Sequence, residues 1–219
     1  MNTGIGDAIT LAWKLAAVLN SEATDALLDS YNEERHAFAK RLVKTTDDIF
    51  SKMIATGDLA QFMRVDVFPI VAPLAMRTSF LQSFVFHNVS QIDLNYRENP
   101  ISAGSAGTVH GGDRLPWIRS EGLTNYKSLP MRWNVHVYGL PTPALIDWCE
   151  RKGLQLSTFE WRKEHQEAGL KKDAVYLLRP DTYVAFATTA ASPEQLDEFF
   201  QSNGINPLPL PSMGGLSTD

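Results

Sequence analysis

The stretch Met1-Asn2-Thr3-Gly4-Ile5-Gly6-Asp7-Ala8-Ile9-Thr10-Leu11-Ala12-Trp13-Lys14-Leu15 opens the chain and sets the reading of everything after it. Strong helix formers follow the two glycines, and Asn20-Ser21 supplies a stop, so the pattern predicts a helix over 6–20. Between Ile9 and Val18 only Thr10 and Lys14 are polar. Apolar surface therefore wraps nearly the whole circumference, and such a helix expects neighbours on several sides.

Further along, Leu27, Leu28, Tyr31, Phe38, Leu42 and Ile49 recur at helical spacing, which predicts a second amphipathic helix from about Thr24. Residues 57–90 read as one or two more helices, broken near Pro69 and Pro73. From Asn99-Pro100 to Gly112 the composition turns to Pro, Gly and Ser without apolar periodicity, which marks a domain boundary. Beyond it, 134–138 and 154–159 read as strands, and 143–152 reads as a helix with Thr142 as its cap. Residues 174–178 and 183–187 form an expected hairpin across Arg179-Pro180-Asp181-Thr182, with Pro180 at the first corner of a type I turn. Ser192-Pro193-Glu194 starts a last helix with a capping serine and ends near Asn203-Gly204. The Pro-, Gly- and Ser-rich tail 207–219 is expected to be disordered.

Composition narrows the function classes. At 219 residues with 44% hydrophobic content, the chain can bury a real core. A net charge of −5 gives no basic field for nucleic acid. The single cysteine, Cys149, excludes an intrachain disulfide and any Cys-x-x-Cys arrangement. No stretch approaches the roughly 20 apolar residues of a membrane span, and no signal-peptide pattern is present, so a cytoplasmic protein is expected. His36, His87, His110, His136 and His165 are scattered without a His-x-x-x-His pair, and the one Glu-x-x-His spacing, Glu33 to His36, lacks the second pair that a carboxylate di-metal site needs, so no metal site is expected. Arg162-Lys163-Glu164-His165 reads as a solvated face, and Trp117, Trp133, Trp148 and Trp161 read as core or domain contacts.

The opening stretch resembles the loop-and-helix motif of the para-hydroxybenzoate hydroxylase and phenol hydroxylase family of FAD-dependent aromatic hydroxylases. Four later segments add to the resemblance: Tyr31-x-x-Glu34-Arg35, Gln91-Ile92-Asp93-Leu94-Asn95-Tyr96-Arg97, Gly112-Asp113-Arg114-Leu115-Pro116, and Leu177-Leu178-Arg179-Pro180-Asp181-Thr182-Tyr183-Val184-Ala185-Phe186. Thr182 replaces the family's usual Gly, which suggests a turn that needs no positive φ there.

The resemblance implies an α/β (α+β) fold. Residues 1–104 would be the C-terminal helical part of a truncated FAD-binding monooxygenase domain, and 105–206 a thioredoxin-like C-terminal domain. It also implies that the helix N-terminus faces the pyrimidine edge of the flavin, with Met1 and Asn2 offering backbone N–H groups, Thr3 and Gly4 shaping the turn, and Asp7 capping the helix or lying just inside it. Free N–H groups at a helix start suit the negative charge that a reduced flavin carries there. In the full-length family NAD(P)H reduces FAD, and a phenolic substrate is hydroxylated through a flavin C4a-hydroperoxide.

The Gly-x-Gly-x-x-Gly fingerprint and the family's Gly-Asp motif upstream of the helix are absent. The expectation is thus a fragment from a truncated gene, a misassigned start or cloning, inactive alone. Its partner would be the missing N-terminal FAD domain or a second copy. The alternative reading is a non-catalytic thioredoxin-like interaction or oligomerisation module that partners a separate FAD domain.

Overall fold

The computed structural model describes residues 2–54, 65, 94–120, 122–127, 129–190 and 192–207. These divide into two compact units, one combining residues 3–33 with those from 95 onward, the other combining Asn2 with residues 34–94. Helix α1 covers Asn2–Leu19 and α2 covers Ala26–Ile54. Helix α1 thus starts four residues earlier than the expected 6–20, because Gly4 and Gly6 do not take positive φ and continue the helix. Apart from Val65, the helices expected over 57–90 lie outside the described residues, as does the tail from 208.

The first unit is built on a six-stranded mixed sheet. Its strands are β1 (Ala103–Ala106), β2 (Val109–His110), β5 (Asn134–Tyr138), β6 (Gln155–Phe159), β7 (Val175–Leu178) and β8 (Val184–Thr188), in the order β2-β1-β8-β7-β5-β6. A separate two-stranded ribbon joins β3 (Arg119–Ser120) to β4 (Leu123–Thr124). Strands β5 and β6 are parallel and connected through α3 (Pro143–Lys152), a βαβ unit. Strands β7 and β8 form an antiparallel hairpin followed by α5 (Pro193–Ser202), a ββα unit. Antiparallel pairing of β5 with β7 fuses the two. Between them lies the short helix α4 (Lys163–Glu167). The fold is α+β, with N-terminal helices and a mixed sheet flanked by helices.

Local chemistry explains most boundaries. The Thr142 hydroxyl accepts the Leu145 N–H at 3.2 Å at the start of α3, the expected cap. Ser192 occupies the corresponding place before α5, but it does not cap: its hydroxyl donates to the Glu194 carboxylate, and no side-chain bond reaches the helix N–H groups. Glu194 at the positive end and Pro193 in the first turn hold that start instead.

Alternation along the strands divides the core between the two sheet faces. Val135, Val137, Val175 and Leu177 face α3, α5 and α1, together with Trp133, Trp148 and Phe200. Tyr138, Tyr176, Leu178 and Val184 face the opposite side, covered by Leu115, Ile118 and Leu170. On that second face the expected solvated stretch 162–165 contributes a buried residue: His165 is 3% exposed and packs on the Tyr138 ring at 4.9 Å. Helical spacing in α4 turns it inward while Lys163 and Glu167 pair outside at 3.1 Å. Trp133 and Trp148 are core residues, whereas Trp117, expected in a core or domain contact, is 63% exposed. No helix among the described residues is long and apolar enough to cross a membrane.

The β7–β8 turn corrects one expectation. Pro180 does sit at the first corner, and the Thr182 N–H donates to the Arg179 carbonyl at 2.9 Å, but Thr182 has φ +69. The hairpin adds one left-handed residue after its tight turn to restore strand twist, a position that favours Gly because Cβ crowds the following carbonyl. Thr182→Gly is therefore expected to stabilise the protein by about 1 kcal/mol, read as a higher urea midpoint at unchanged m-value.

A second prediction concerns acid. His136 is fully buried, and burial pushes its pKa from the ordinary 6.5 down to about 3. Its Nδ1 lies 3.3 Å from the Tyr138 hydroxyl, and Nε2 has no partner among the described residues. The unfolded chain takes up the proton below 6.5 while the folded one resists it. Stability should thus fall by about 1.4 kcal/mol per pH unit through this group as pH drops from 6.5 towards 3. Denaturant melts at stepped pH should show a flatter slope for His136→Phe than for the wild type; equal slopes would contradict the assignment.

Candidate functional site

Four residues at the chain start carry the cofactor expectation. Met1 lies outside the described residues. Asn2, Thr3 and Gly4 form the first turn of α1 and not a turn ahead of it. Their N–H groups fall among the first four of the helix, which have no intrahelical acceptor. Asp7 is in the second turn, too far along to cap, and no acidic residue occupies the first turn. A Cβ built on Gly4 or Gly6 would meet nothing within 4 Å among the described residues. Among the described residues, then, neither glycine is required by a close contact, and Gly4 is exposed.

The two long faces of α1 are chemically distinct. Thr10, Trp13, Lys14 and Ala17 are buried, whereas Ile5, Ile9, Leu15 and Leu19 are exposed, Leu19 by 81%. With Ala8, Ala12 and Ala16 these exposed residues form one continuous apolar stripe at helical spacing. On the buried face, Lys14 Nζ donates to Ser30 Oγ at 2.7 Å, joining α1 to α2. Trp13 Nε1 donates to Asp181 Oδ2 at 2.9 Å, joining α1 to the β7–β8 turn 168 residues away in sequence.

Asp181 is itself held by Arg179 through Nε–Oδ1 at 3.0 Å and Nη2–Oδ2 at 2.6 Å, with both side chains essentially inaccessible. The guanidinium carbon also sits 5.3 Å from the Trp13 ring centroid and 5.5 Å from those of Tyr96 and Tyr183. An aromatic cage replaces the water that an arginine would otherwise keep.

The remaining sequence motifs meet nearby as structural fastenings. Asp113 accepts Arg97 Nε at 2.6 Å and Nη2 at 2.9 Å, and the His110 N–H at 2.9 Å. That pairing raises the Arg97 pKa, chiefly through the hydrogen bond. Gly112 has φ +90, and an added Cβ would lie 2.4 Å from backbone atoms of Tyr96 and Arg97. Only glycine fits where those strands of chain cross. His110 sits half-exposed on β2, its Nδ1 3.7 Å from Asp113. Cys149 is buried, and burial pushes its thiol up to about 12, so it cannot act as a thiolate nucleophile near neutrality. Among the described residues no three metal-ligating side chains come together. Sequence reasoning found the motifs but not the Trp13–Asp181–Arg179 contact; the signal available was a Trp-Lys pair inside an otherwise apolar helix.

Residues 1–46 match the family model described as an FAD binding domain. The chain is 27% identical over 197 residues to the uncharacterized aromatic compound monooxygenase YhjG of Bacillus subtilis (strain 168), across 89% of this chain and 37% of that protein. It is 32% identical over 118 residues to the 6-methylpretetramide 4-monooxygenase of Streptomyces rimosus, across 51% of this chain and 21% of that enzyme. Among solved structures, BexE superposes with a TM-score of 0.66 at 26% identity, over 96% of this chain and 41% of its own. CabE, an aromatic hydroxylase from angucycline biosynthesis, gives 0.63 at 25% identity, over 92% and 40%. The chain thus has a flavin-binding, aromatic-hydroxylase-like fold and is homologous to FAD-dependent aromatic-ring hydroxylases and monooxygenases. It spans about two fifths of the length of the Bacillus relative and of these solved chains.

Because a Cβ added at Gly4 or Gly6 would meet none of the described residues, replacing either by Ala should favour the helix by about 0.5–1 kcal/mol. Thermal melts of the isolated chain would show this as a raised Tm; a lowered Tm would mean that the glycines have a packing role in this chain.

Proposed function

We propose that this chain is part of a FAD-dependent, NAD(P)H-using monooxygenase that hydroxylates a phenolic or aromatic substrate, and that it is inactive alone. The observation that carries the reading is that the segment matching an FAD binding domain opens on the start of α1, where Gly4 and Ile5 are exposed. Backbone N–H groups of Met1, Asn2, Thr3 and Gly4 would hold the pyrimidine edge of the isoalloxazine ring. The helix dipole adds a positive end there, and the two glycines leave room for the ring. When bound, FAD supplies the redox and oxygen chemistry, with NAD(P)H as the reductant. The chain's own part is to orient one edge of the ring and to favour negative charge on it.

The described residues offer nothing comparable for the pyrophosphate or adenosine, and the sequence lacks the glycine fingerprint for them. The partner in this reading is an N-terminal FAD domain. Its docking surface would include the apolar stripe Ile5, Ile9, Leu15 and Leu19, which water would otherwise face. Residues 1–104 are then the C-terminal helical part of the flavin domain and 105–206 a thioredoxin-like domain, with β1 crossing that boundary to pair with β8. Support for the latter is the βαβ and ββα units fused through β5 and β7. With Cys149 buried and alone, that domain would serve packing and not thiol exchange.

The test is to co-express the chain with the N-terminal flavin-binding portion of a full-length relative such as the Bacillus monooxygenase. The purified pair is expected to retain FAD, seen by its visible absorbance, and to oxidise NAD(P)H faster when a phenol is added. The chain alone should retain none. Stoichiometric FAD on the isolated chain would overturn its incompleteness, and failure of the pair to assemble or to hold flavin would sink the reading.

A further inference from the structure

We infer that Asp181 is a positioning residue for the N-terminal end of α1, acting through Trp13. This rests on the proposed flavin-facing role of that end. Three observations carry the inference. The Asp181 carboxylate is oriented by two bonds from Arg179 before it meets the helix, so its free lone pair points in a fixed direction. Its contact on α1 is the indole N–H of Trp13, a rigid donor on a buried ring locked edge-on against Trp133 at 5.9 Å. The guanidinium that orients the carboxylate also lies against that same indole ring, so translation or rotation of α1 would disturb both contacts.

At about 1.5 Å per residue, Trp13 lies roughly 16 Å along the axis from Asn2. Beyond it towards the N-terminus, Thr10 is buried, Gly6, Asp7 and Leu11 are partly buried, and Gly4, Ile5, Ala8 and Ile9 are exposed. Trp13 thus belongs to the buried anchorage from which the helix extends towards its first turn. The tip of the β7–β8 hairpin thereby helps to fix where the first-turn N–H groups point.

Hydrogen–deuterium exchange on the 219-residue chain tests the latch without flavin. Trp13→Phe removes the N–H and keeps an aromatic ring, leaving the Arg179–Asp181 pair intact. Exchange of the α1 amides at residues 8–16 should accelerate about tenfold, the equivalent of one hydrogen bond, while β5 and β7 keep their protection. Asp181→Asn should accelerate the same amides, and the double variant should fall short of the product of the two. Should Asp181→Asn not fold, Trp13→Phe alone decides. For Trp13→Phe, equal acceleration in helix and sheet or no acceleration in the helix would overturn the latch, as would fully multiplicative effects in the double variant. In the co-expressed pair, Trp13→Phe is further expected to weaken FAD retention about tenfold. Helix loosening without loss of FAD retention would leave the latch standing and count against the flavin-facing role of α1.

Discussion

The buried ion pair between Arg179 and Asp181 is the contact on which the first unit turns. A guanidinium taken out of water must recover its solvation from protein, and here a bidentate carboxylate and three aromatic rings supply it. Those rings come from α1, from the segment just before the sheet, and from β8's entry. Satisfying one cation thus ties together pieces of chain far apart in sequence. Removing one partner of such a pair leaves an uncompensated buried charge, at a cost of about 3–5 kcal/mol, so the arrangement tolerates little change.

The same logic governs the motifs that suggested the resemblance. Leu-x-Arg-Pro-Asp is a turn whose two charged residues face inward. Asp113 organises its own loop and clamps Arg97, while Gly112 lets two stretches of backbone cross where a side chain would collide. These segments hold the sheet, the segment before it and α1 together, and chemistry on a bound flavin would depend on them only through that scaffold. The motif at the first turn of α1 differs in kind: among the described residues its glycines meet no close contact and its apolar stripe has no cover. Strict internal satisfaction in one place and open surface in the other fit a chain that covers about two fifths of its relatives.

Local rules were strong enough for the sequence by itself to determine the α3 helix with its Thr142 cap, the β5 strand, the hairpin and its Pro180 corner, each readable within a few residues. The start of α1 was misread because two glycines suggest a loop unless the backbone around them is known. Ser192 does not cap as expected because a serine two residues before a glutamate can donate to that carboxylate instead of accepting from the helix N–H groups. Thr182 was misread because strand twist, not residue preference, demands the left-handed conformation there. Only tertiary structure decided that His165 turns inward, that Trp117 stays out, and that Trp13 meets Asp181. The physical reason is common to all three: burial and hydrogen-bond partners depend on which segments pack together, and a contact across 168 residues leaves no periodicity in the sequence from which to read it.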